Sequence, residues 1–241
     1  MLQTERELVM GLQSKSVVVI GGSSGMGLAT AKLAKEMGAK VTIASRSKAK
    51  LDQALQHIGE ALAITADITN ESDIKRLFAG LESVDHILVS ASMWLAGKLM
   101  ETEMATFRAD VDQRFWGPLQ VVRYAVPRMT DGSITFVSGE LSSRPSAGVV
   151  VTSAMCAAIE VLAKGLALEL APIRVNAVAP HFIDTPLIVP VRDLIAKRAE
   201  DKLPVKRMGR VEEVAQAVVL LMTNGFITGE VLHIDGGGRL V

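Results

Sequence analysis

The sequence alternates short β-branched runs with longer helical patterns along nearly its whole length. The runs are mostly apolar throughout, as expected for strands buried on both faces, and they fall at residues 17–20, 41–44, 62–65, 86–89, 134–137, 174–178 and 230–234. Helical patterns lie between them, for example at residues 26–37, 72–81, 152–170 and 211–222. Strand–helix–strand alternation implies parallel strands joined by right-handed crossovers. It predicts a doubly wound, three-layer α/β fold with a mostly parallel, seven-stranded sheet.

Composition narrows the class of protein. Of 241 residues, 49% are hydrophobic, enough for one large core, so we expect a single domain over 1–241 with a flexible or extra segment at 1–13. Equal numbers of acidic and basic residues argue against a nucleic-acid or membrane partner. The lone Cys156 excludes an internal disulfide and fits a reducing compartment. With no secretory signal and no membrane-spanning stretch recognised, the expected location is cytoplasmic.

A glycine-rich turn follows the first predicted strand. The strand leads directly into Gly21-Gly22-Ser23-Ser24-Gly25-Met26-Gly27, and a helix begins there. Gly21 lets the chain turn off the strand, Gly25 lets backbone approach a pyrophosphate, and Gly27 lets helix and strand pack closely. The helix N-terminus would direct free N–H groups at the phosphates. A plain glycine-rich turn is the alternative, but its position favours a Rossmann-type dinucleotide site.

The residues at the end of the second strand indicate which dinucleotide the site binds. An NAD site usually carries Asp or Glu about 20 residues after the glycines, to hold the ribose hydroxyls. Here that position is the neutral Ser45, and Arg46 follows it. Arg46 can grip the 2′-phosphate of NADP through a charge-assisted fork, unless it is simply a solvated side chain. We therefore expect NADP(H), with NAD(H) less favoured.

The spacing Gly-x3-Gly-x-Gly of Gly21, Gly25 and Gly27 is that of the short-chain dehydrogenase/reductase family. Further segments make the chain resemble this family from about residue 14 to 238. The segment Ala66-Asp67-Ile68-Thr69 is similar to the one whose Asp holds the adenine. Residues 174–180 resemble the family's sixth strand and turn, and residues 207–215 and 227–238 resemble its last helix and strand. The resemblance implies further cofactor contacts, at Asp67, Ile68, Ser90, Ala91, Pro180, Ile183 and Thr185.

The positions of the family's catalytic residues are occupied by other side chains. In the family, Tyr exchanges a proton with the carbonyl oxygen, Lys lowers the tyrosine pKa, Ser holds the oxygen and Asn anchors a water. The resemblance places Thr152 at the Tyr, Cys156 at the Lys, Gly139 at the Ser and Arg114 at the Asn; we call these four the relay positions. The chain's one tyrosine, Tyr124, lies in another helix, where we expect it to pack. The ordinary Ser-Tyr-Lys relay is therefore predicted to be absent.

Several side chains offer substitute chemistry, each with a plainer alternative. Thr152 lacks the near-10 pKa of a phenol. Cys156 could transfer a proton but reads better as a small buried side chain. His181 could be a general acid or a surface histidine. Arg114 could stabilise an oxyanion or bind an anionic ligand, or form a solvent-facing salt bridge. Ser138 lies one residue from the Ser position and would reach the site only if the strand ended early.

Two functions remain open at this point. One is an NADP(H)-dependent oxidoreductase of a small carbonyl or alcohol with an altered relay; the other is a catalytically silent NADP(H)-binding protein, as a sensor or partner subunit. The proline-rich segment 179–204 could be a lid over the site or a surface excursion. His57, His86 and His233 suggest no metal site. By the resemblance, a homotetramer or homodimer is expected.

Overall fold

The structure is a computed structural model, and it describes residues 11–91 and 95–241. Most of the segment predicted to be flexible or extra, at 1–13, lies outside the described residues. Its last residues form a turn whose Leu12 is fully buried against the core beside the first two strands. Leu12 therefore anchors the end of this segment to the packed fold.

A seven-stranded sheet forms the middle layer, and every strand pair in it is parallel. The strands are β1 (Ser16–Ile20), β2 (Lys40–Ser45), β3 (Leu62–Thr65), β4 (His86–Val89), β5 (Ser133–Val137), β6 (Arg174–Pro180) and β7 (Val231–Ile234). Their order across the sheet is β3-β2-β1-β4-β5-β6-β7. The predicted fold class is confirmed. Because the order reverses between β1 and β4, the carboxyl ends of these strands open a crevice where ligands bind in such folds.

Helices cover both faces of the sheet. They are α1 (Gly25–Glu36), α2 (Lys48–Ile58), α3 (Glu71–Ala79), α4 (Met104–Val111), α5 (Gly117–Ala125), α6 (Val150–Glu169), α7 (Arg192–Lys202) and α8 (Val211–Thr223). A π-helical segment, Asp112–Trp116, joins α4 to α5. The helical patterns at 26–37, 72–81, 152–170 and 211–222 correspond to α1, α3, α6 and α8.

Alternate residues of the strands point into two separate apolar cores. Val18 and Ile20 pack with α3, α5 and α6 on one face, whereas Val17 and Val19 pack with α1 and α8 on the other. Fully burying each such side chain contributes about 1.5–3 kcal/mol. This two-sided burial explains why the strand segments are apolar at successive positions.

Helix α6 carries two of the relay positions and is the most apolar long helix among the described residues. By length and composition it is the one described helix that could cross a membrane. It packs against β5 and β6, however, and buries Cys156, Ile159 and Ala163. That packing is characteristic of a core helix in a Rossmann sheet.

Candidate functional site

The glycine turn after β1 adopts a backbone that side chains would obstruct. Gly21 has a φ of +87°, and a Cβ there would lie 2.7 Å from the backbone nitrogen of Ala91. A Cβ on Gly27 would lie 2.3 Å from the carbonyl oxygen of Gly21, so only glycine lets α1 pack this closely on the turn. No acidic residue occupies the first turn of α1. Its free N–H groups and positive dipole end therefore suit an anion.

A cleft of about 430 Å³, which we call the cofactor cleft, opens at this turn. Its volume lies within the usual range of about 300–1,000 Å³ for small-molecule sites. Most of the predicted cofactor residues line it, namely Gly21, Ser23, Ser24, Gly25, Met26, Ser45, Arg46, Ile68, Ser90, Ala91 and Thr185. It also contains three polar residues that sequence reasoning did not assign to the site, Ser47, Lys50 and Gln113.

Four predicted cofactor residues do not line the cofactor cleft. Gly27 lies under the turn, and Pro180 ends β6 opposite Ile234. The Asp67 carboxylate accepts hydrogen bonds of 2.9 and 2.8 Å from the N–H and hydroxyl of Thr69. Ile183 is buried among the residues of the second core. Gly27 and Ile183 therefore support the walls of the cleft through packing.

The chemistry at the end of β2 fits a phosphate-bearing ligand. The Ser45 hydroxyl is buried and has no hydrogen-bond partner among the described residues, which is costly unless a ligand or water supplies one. Arg46 and Lys50 add two cations, and none of the described residues lining the cofactor cleft is acidic. The residues present therefore fit a dinucleotide with an additional phosphate.

The segment 179–204 contributes residues to the lining of the cofactor cleft. It contains a 3₁₀ segment at Pro186–Val191 followed by α7. Thr185, Pro186, Leu187 and Pro190 all line the cleft. An ion pair of 2.5 Å joins Asp184, before the 3₁₀ segment, to Arg192, directly after it. The segment thus lies where a lid would lie.

The fold brings the four relay positions into one connected group. A Cβ on Gly139 would lie 3.5 Å from the sulfur of Cys156, an ordinary van der Waals contact. The Thr152 hydroxyl donates a 2.9 Å hydrogen bond to Oδ2 of Asp110. Arg114 Nε donates a 2.7 Å hydrogen bond to Oδ1 of the same carboxylate. Asp110 therefore links the side chains at the Tyr and Asn positions.

Asp110 was missed from the sequence, and its burial corrects the expectation for Arg114. The Asp110 side chain is fully buried and that of Arg114 is 16% exposed, so the predicted solvent-facing salt bridge is in fact buried. The i, i+4 spacing of the two residues in a helical segment is the signal that could have indicated the pair. Arg114 lies in the π-helical segment between α4 and α5, a feature often found at functional sites.

Cys156 behaves as a small buried side chain, as expected. It is 5% exposed, and it lines a small cavity together with Arg114, Ala91 and Met155. Burial raises the pKa of the Cys156 thiol, and the charge of Arg114 acts in the opposite direction. The thiol is therefore protonated at neutral pH. The nearby positive charge comes from Arg114 rather than from a lysine on α6.

The two other candidate substitutes are engaged elsewhere. The Ser138 hydroxyl lies within hydrogen-bonding distance of Oε1 of Glu160 (2.6 Å) and the carbonyl oxygen of Cys156 (3.1 Å), so it is tied to α6. His181 stacks on Phe182 with ring centroids 3.7 Å apart, and it fills the space that a side chain at Gly238 would need. His181 is therefore partly buried rather than fully exposed. Burial lowers the pKa of His181 to about 4, so at neutral pH its ring is uncharged.

The tyrosine packs away from the relay positions. Tyr124 lies on α5, partly buried against the first core, and its hydroxyl donates a hydrogen bond to Oε1 of Glu71. This hydrogen bond raises the pKa of Tyr124. The expected packing role fits this position.

Comparison with known proteins agrees with this arrangement. Residues 20–238 match the family model described as "Enoyl-(Acyl carrier protein) reductase". The short-chain dehydrogenase/reductase ATR9 of Stachybotrys chlorohalonatus is 33% identical, over 95% of this chain and 98% of the relative.

Two solved structures extend the comparison to three dimensions. The reductase/Diels-Alderase MalC from Malbranchea aurantiaca is 29% identical and superimposes with a TM-score of 0.92, covering 98% of this chain and 100% of that one. A small-chain dehydrogenase in complex with NADPH is 32% identical, with a TM-score of 0.83 and coverage of 95% and 100%. Members of this family bind nicotinamide cofactors. The chain belongs to the short-chain dehydrogenase/reductase family of oxidoreductases.

Proposed function

We propose that this chain is an NADP(H)-binding oxidoreductase of a small carbonyl or alcohol substrate that works without the Ser-Tyr-Lys relay. The observation that carries the cofactor assignment is the unpartnered, buried Ser45 hydroxyl beside Arg46, in a cleft lined by no acidic side chain among the described residues. An Asp or Glu at position 45 would repel a 2′-phosphate, whereas Ser45 can donate to it. The NADPH complex of a relative supports the same choice.

The cofactor cleft offers separate groups for each part of the dinucleotide. The backbone at Gly21–Gly27 and the N-terminus of α1 would hold the pyrophosphate. Ser45, Arg46 and Lys50 would hold the ribose phosphate, and Ser90, Ala91 and Thr185 would border the nicotinamide half. When bound, NADPH supplies the hydride. The protein then supplies position and exclusion of water.

At the relay positions the chain offers no ordinary proton donor. The Thr152 hydroxyl already donates to Asp110, and an alcohol is a far weaker acid than a phenol. The Cys156 thiol is buried with a raised pKa, and His181 is neutral at neutral pH. Arg114 retains one family feature, a cation in the cavity beside position 156. Water would then have to protonate the substrate oxygen during carbonyl reduction, and we expect slow turnover.

A catalytically silent NADP(H)-binding protein is the second candidate. The hydrogen bonds from Thr152 and Arg114 to Asp110 favour it, because both side chains are engaged by a buried carboxylate in the absence of a substrate. The oxidoreductase has the support of the reductase/Diels-Alderase MalC, which superimposes with a TM-score of 0.92. Both candidates require the cofactor cleft and differ only in turnover.

An isotopic experiment separates the two candidates. Nicotinamide fluorescence first measures NADPH and NADH affinity, and NADPH is expected to bind more tightly. The protein is then incubated with NADPH deuterated at the transferring carbon and a panel of ketones and aldehydes, which retain the deuteride on carbon, and products are analysed by mass spectrometry. Deuterated alcohol above a no-protein control establishes the oxidoreductase. Tight NADPH binding without any deuterated product establishes the silent protein, and equal affinity for the two cofactors refutes the NADP(H) assignment.

We further propose that the chain forms a single domain. We also propose that it assembles as a homodimer or homotetramer and is located in the cytoplasm. Val161 and Leu168 on α6 are 67% and 86% exposed, and Trp116 near α5 is 53% exposed, which leaves apolar side chains for a second copy. Light scattering at micromolar concentration tests the assembly; a monomer would contradict it.

We also propose that the segment 179–204 serves as a lid over the cofactor cleft, because Thr185, Pro186, Leu187 and Pro190 line that cleft.

A further inference from the structure

Three potential metal ligands meet at the carboxyl end of the sheet, outside the residues that line the cofactor cleft. Glu140 opens the short turn after β5, His233 lies in β7, and Asp235 follows β7 directly. Each offers a ligand atom, and the three atoms lie within 4.8 Å of one another. Nδ1 of His233 is 3.8 Å from Oε2 of Glu140. Strands β5 and β7 flank β6, and this topology joins residues that are far apart in sequence.

The Glu140 side chain is the independent sign of a missing partner. It is 2% exposed, and neither carboxylate oxygen has a hydrogen-bond partner among the described residues. Nδ1 of His233 is also buried without such a partner. A buried carboxylate is costly unless a cation or a proton neutralises it. Because Glu140 points at His233, the partner it needs belongs between them.

We propose that Glu140, His233 and Asp235 bind one divalent transition-metal ion, of the class of Zn²⁺. One imidazole nitrogen with two carboxylates suits zinc or cobalt, whereas magnesium and calcium prefer oxygen ligands alone. Bonds of about 2.0–2.2 Å in a tetrahedral site place ligand atoms roughly 3.4 Å apart. The distance of 3.8 Å between His233 Nδ1 and Glu140 Oε2 is already near that spacing. The ligand oxygen of Asp235 lies within 4.8 Å of the other two ligand atoms and needs to move by about 1 Å. The fourth position is left for water.

The surrounding groups hold Asp235 in place for this role. Its Oδ1 accepts a hydrogen bond of 2.9 Å from the Gly237 N–H, and its Oδ2 accepts from the N–H of Arg239 and, at 3.2 Å, from Arg239 Nη1. Such outer contacts orient metal-ligating carboxylates. The charge of Arg239 leaves the two carboxylates with a net negative charge, which a dication balances.

The consequence of the site is mechanical. A bound ion ties the turn after β5, which begins next to Gly139, to β7 and to the C-terminal turn at Gly238–Leu240. The sequence predicted no metal site because the three ligands share no motif spacing. The competing occupant of the space between these side chains is a proton.

The test uses the full chain, freed of metal by a chelator and titrated with Co²⁺ and Zn²⁺. We expect one bound ion per chain by elemental analysis, visible Co²⁺ absorption typical of low coordination, and a Tm higher by roughly 5–10 °C at a hundredfold excess over the Kd. Glu140→Gln and His233→Asn should each abolish the absorption. The exposed Glu60→Gln and His57→Asn are matched controls and should leave it unchanged.

Two results would overturn the site. One is the absence of stoichiometric Co²⁺ binding by the metal-free native chain, which leaves the protonated pair as occupant. The other is retention of the Co²⁺ spectrum in Glu140→Gln, a variant that removes a buried charge and is therefore expected to fold even if His233→Asn does not. Neither result depends on cofactor binding or turnover.

Discussion

The cofactor cleft and the relay positions lie on the same sheet, but they differ in whether their polar side chains are available to a ligand. At the cofactor cleft the glycine turn is intact, and the Ser45 hydroxyl is left without a partner. At the relay positions, the Asp110 carboxylate accepts hydrogen bonds from both Thr152 and Arg114. The cleft has a polar group available for a ligand, whereas Thr152 and Arg114 are already bonded to a buried carboxylate. Cofactor binding depends mainly on backbone geometry and proton transfer on particular side chains, so one can be lost without the other.

The largest effect should come from opening the network at the relay positions. Arg114→Leu leaves the fully buried Asp110 carboxylate without its cation and should lower the free energy of unfolding by about 3–5 kcal/mol. Urea denaturation measures it. The exposed i, i+4 pair Lys48–Asp52 is the control, and Lys48→Ala should cost less than about 1 kcal/mol. Equal small losses in both variants would show that the network is not a closed structural unit.

The next effect separates stability from chemistry at position 152. Thr152→Ala removes a hydrogen bond to a buried charge and should cost about 1.5–3 kcal/mol of unfolding free energy. Any residual carbonyl reduction should be unchanged, because the hydroxyl is committed to Asp110. Thr152→Ser, which keeps the hydroxyl, should restore most of the stability. A large loss of rate in a variant that remains folded would identify Thr152 as part of a working relay.

A third effect belongs to the cofactor cleft alone. Arg46→Ala should weaken NADPH binding about tenfold or more while leaving NADH binding nearly constant, because charge-assisted hydrogen bonds of about 1.5–3 kcal/mol to the 2′-phosphate are lost. Fluorescence titration of both cofactors gives the ratio. Lys48→Ala, which lies outside the cleft lining, should not change it. A preference for NADPH that survives Arg46→Ala would move the specificity to Lys50.

The smallest effect is a pH dependence at His181. Burial lowers its pKa from 6.5 to about 4, so between these values the unfolded chain binds more protons than the folded chain. Stability should therefore fall as pH falls from about 6.5 to 4. The full shift would correspond to roughly 3 kcal/mol, and solvent screening of this partly exposed ring reduces the expected contribution to about 1–2 kcal/mol. His181→Gln should flatten the profile, and the exposed His57→Gln should not. A profile unaltered by His181→Gln would mean that the ring titrates normally and is available as an acid.

Much of the fold was accessible from the sequence because strand burial and glycine spacing are local signals. The continuous apolar runs gave all seven strands, and the glycines and Arg46 led to the cofactor cleft. The role of Asp110 was not accessible, because nothing local shows that its partner Thr152 is carried to it by α6. The packing of His181 against Phe182 and Gly238 was not accessible for the same reason, because the C-terminal turn produces it.

The most direct test of the contrast between the two regions is the native rate of carbonyl reduction. NADPH oxidation is followed with a carbonyl panel at saturating cofactor, on protein whose NADPH stoichiometry has been measured in the same preparation. General acid–base groups supply about 10²–10⁴-fold in rate, so full NADPH occupancy should accompany a kcat lower by about that factor than the usual value of about 10 s⁻¹. A kcat near about 10 s⁻¹ on any carbonyl would show that the relay positions, or His181, contain a working proton donor and would contradict the account.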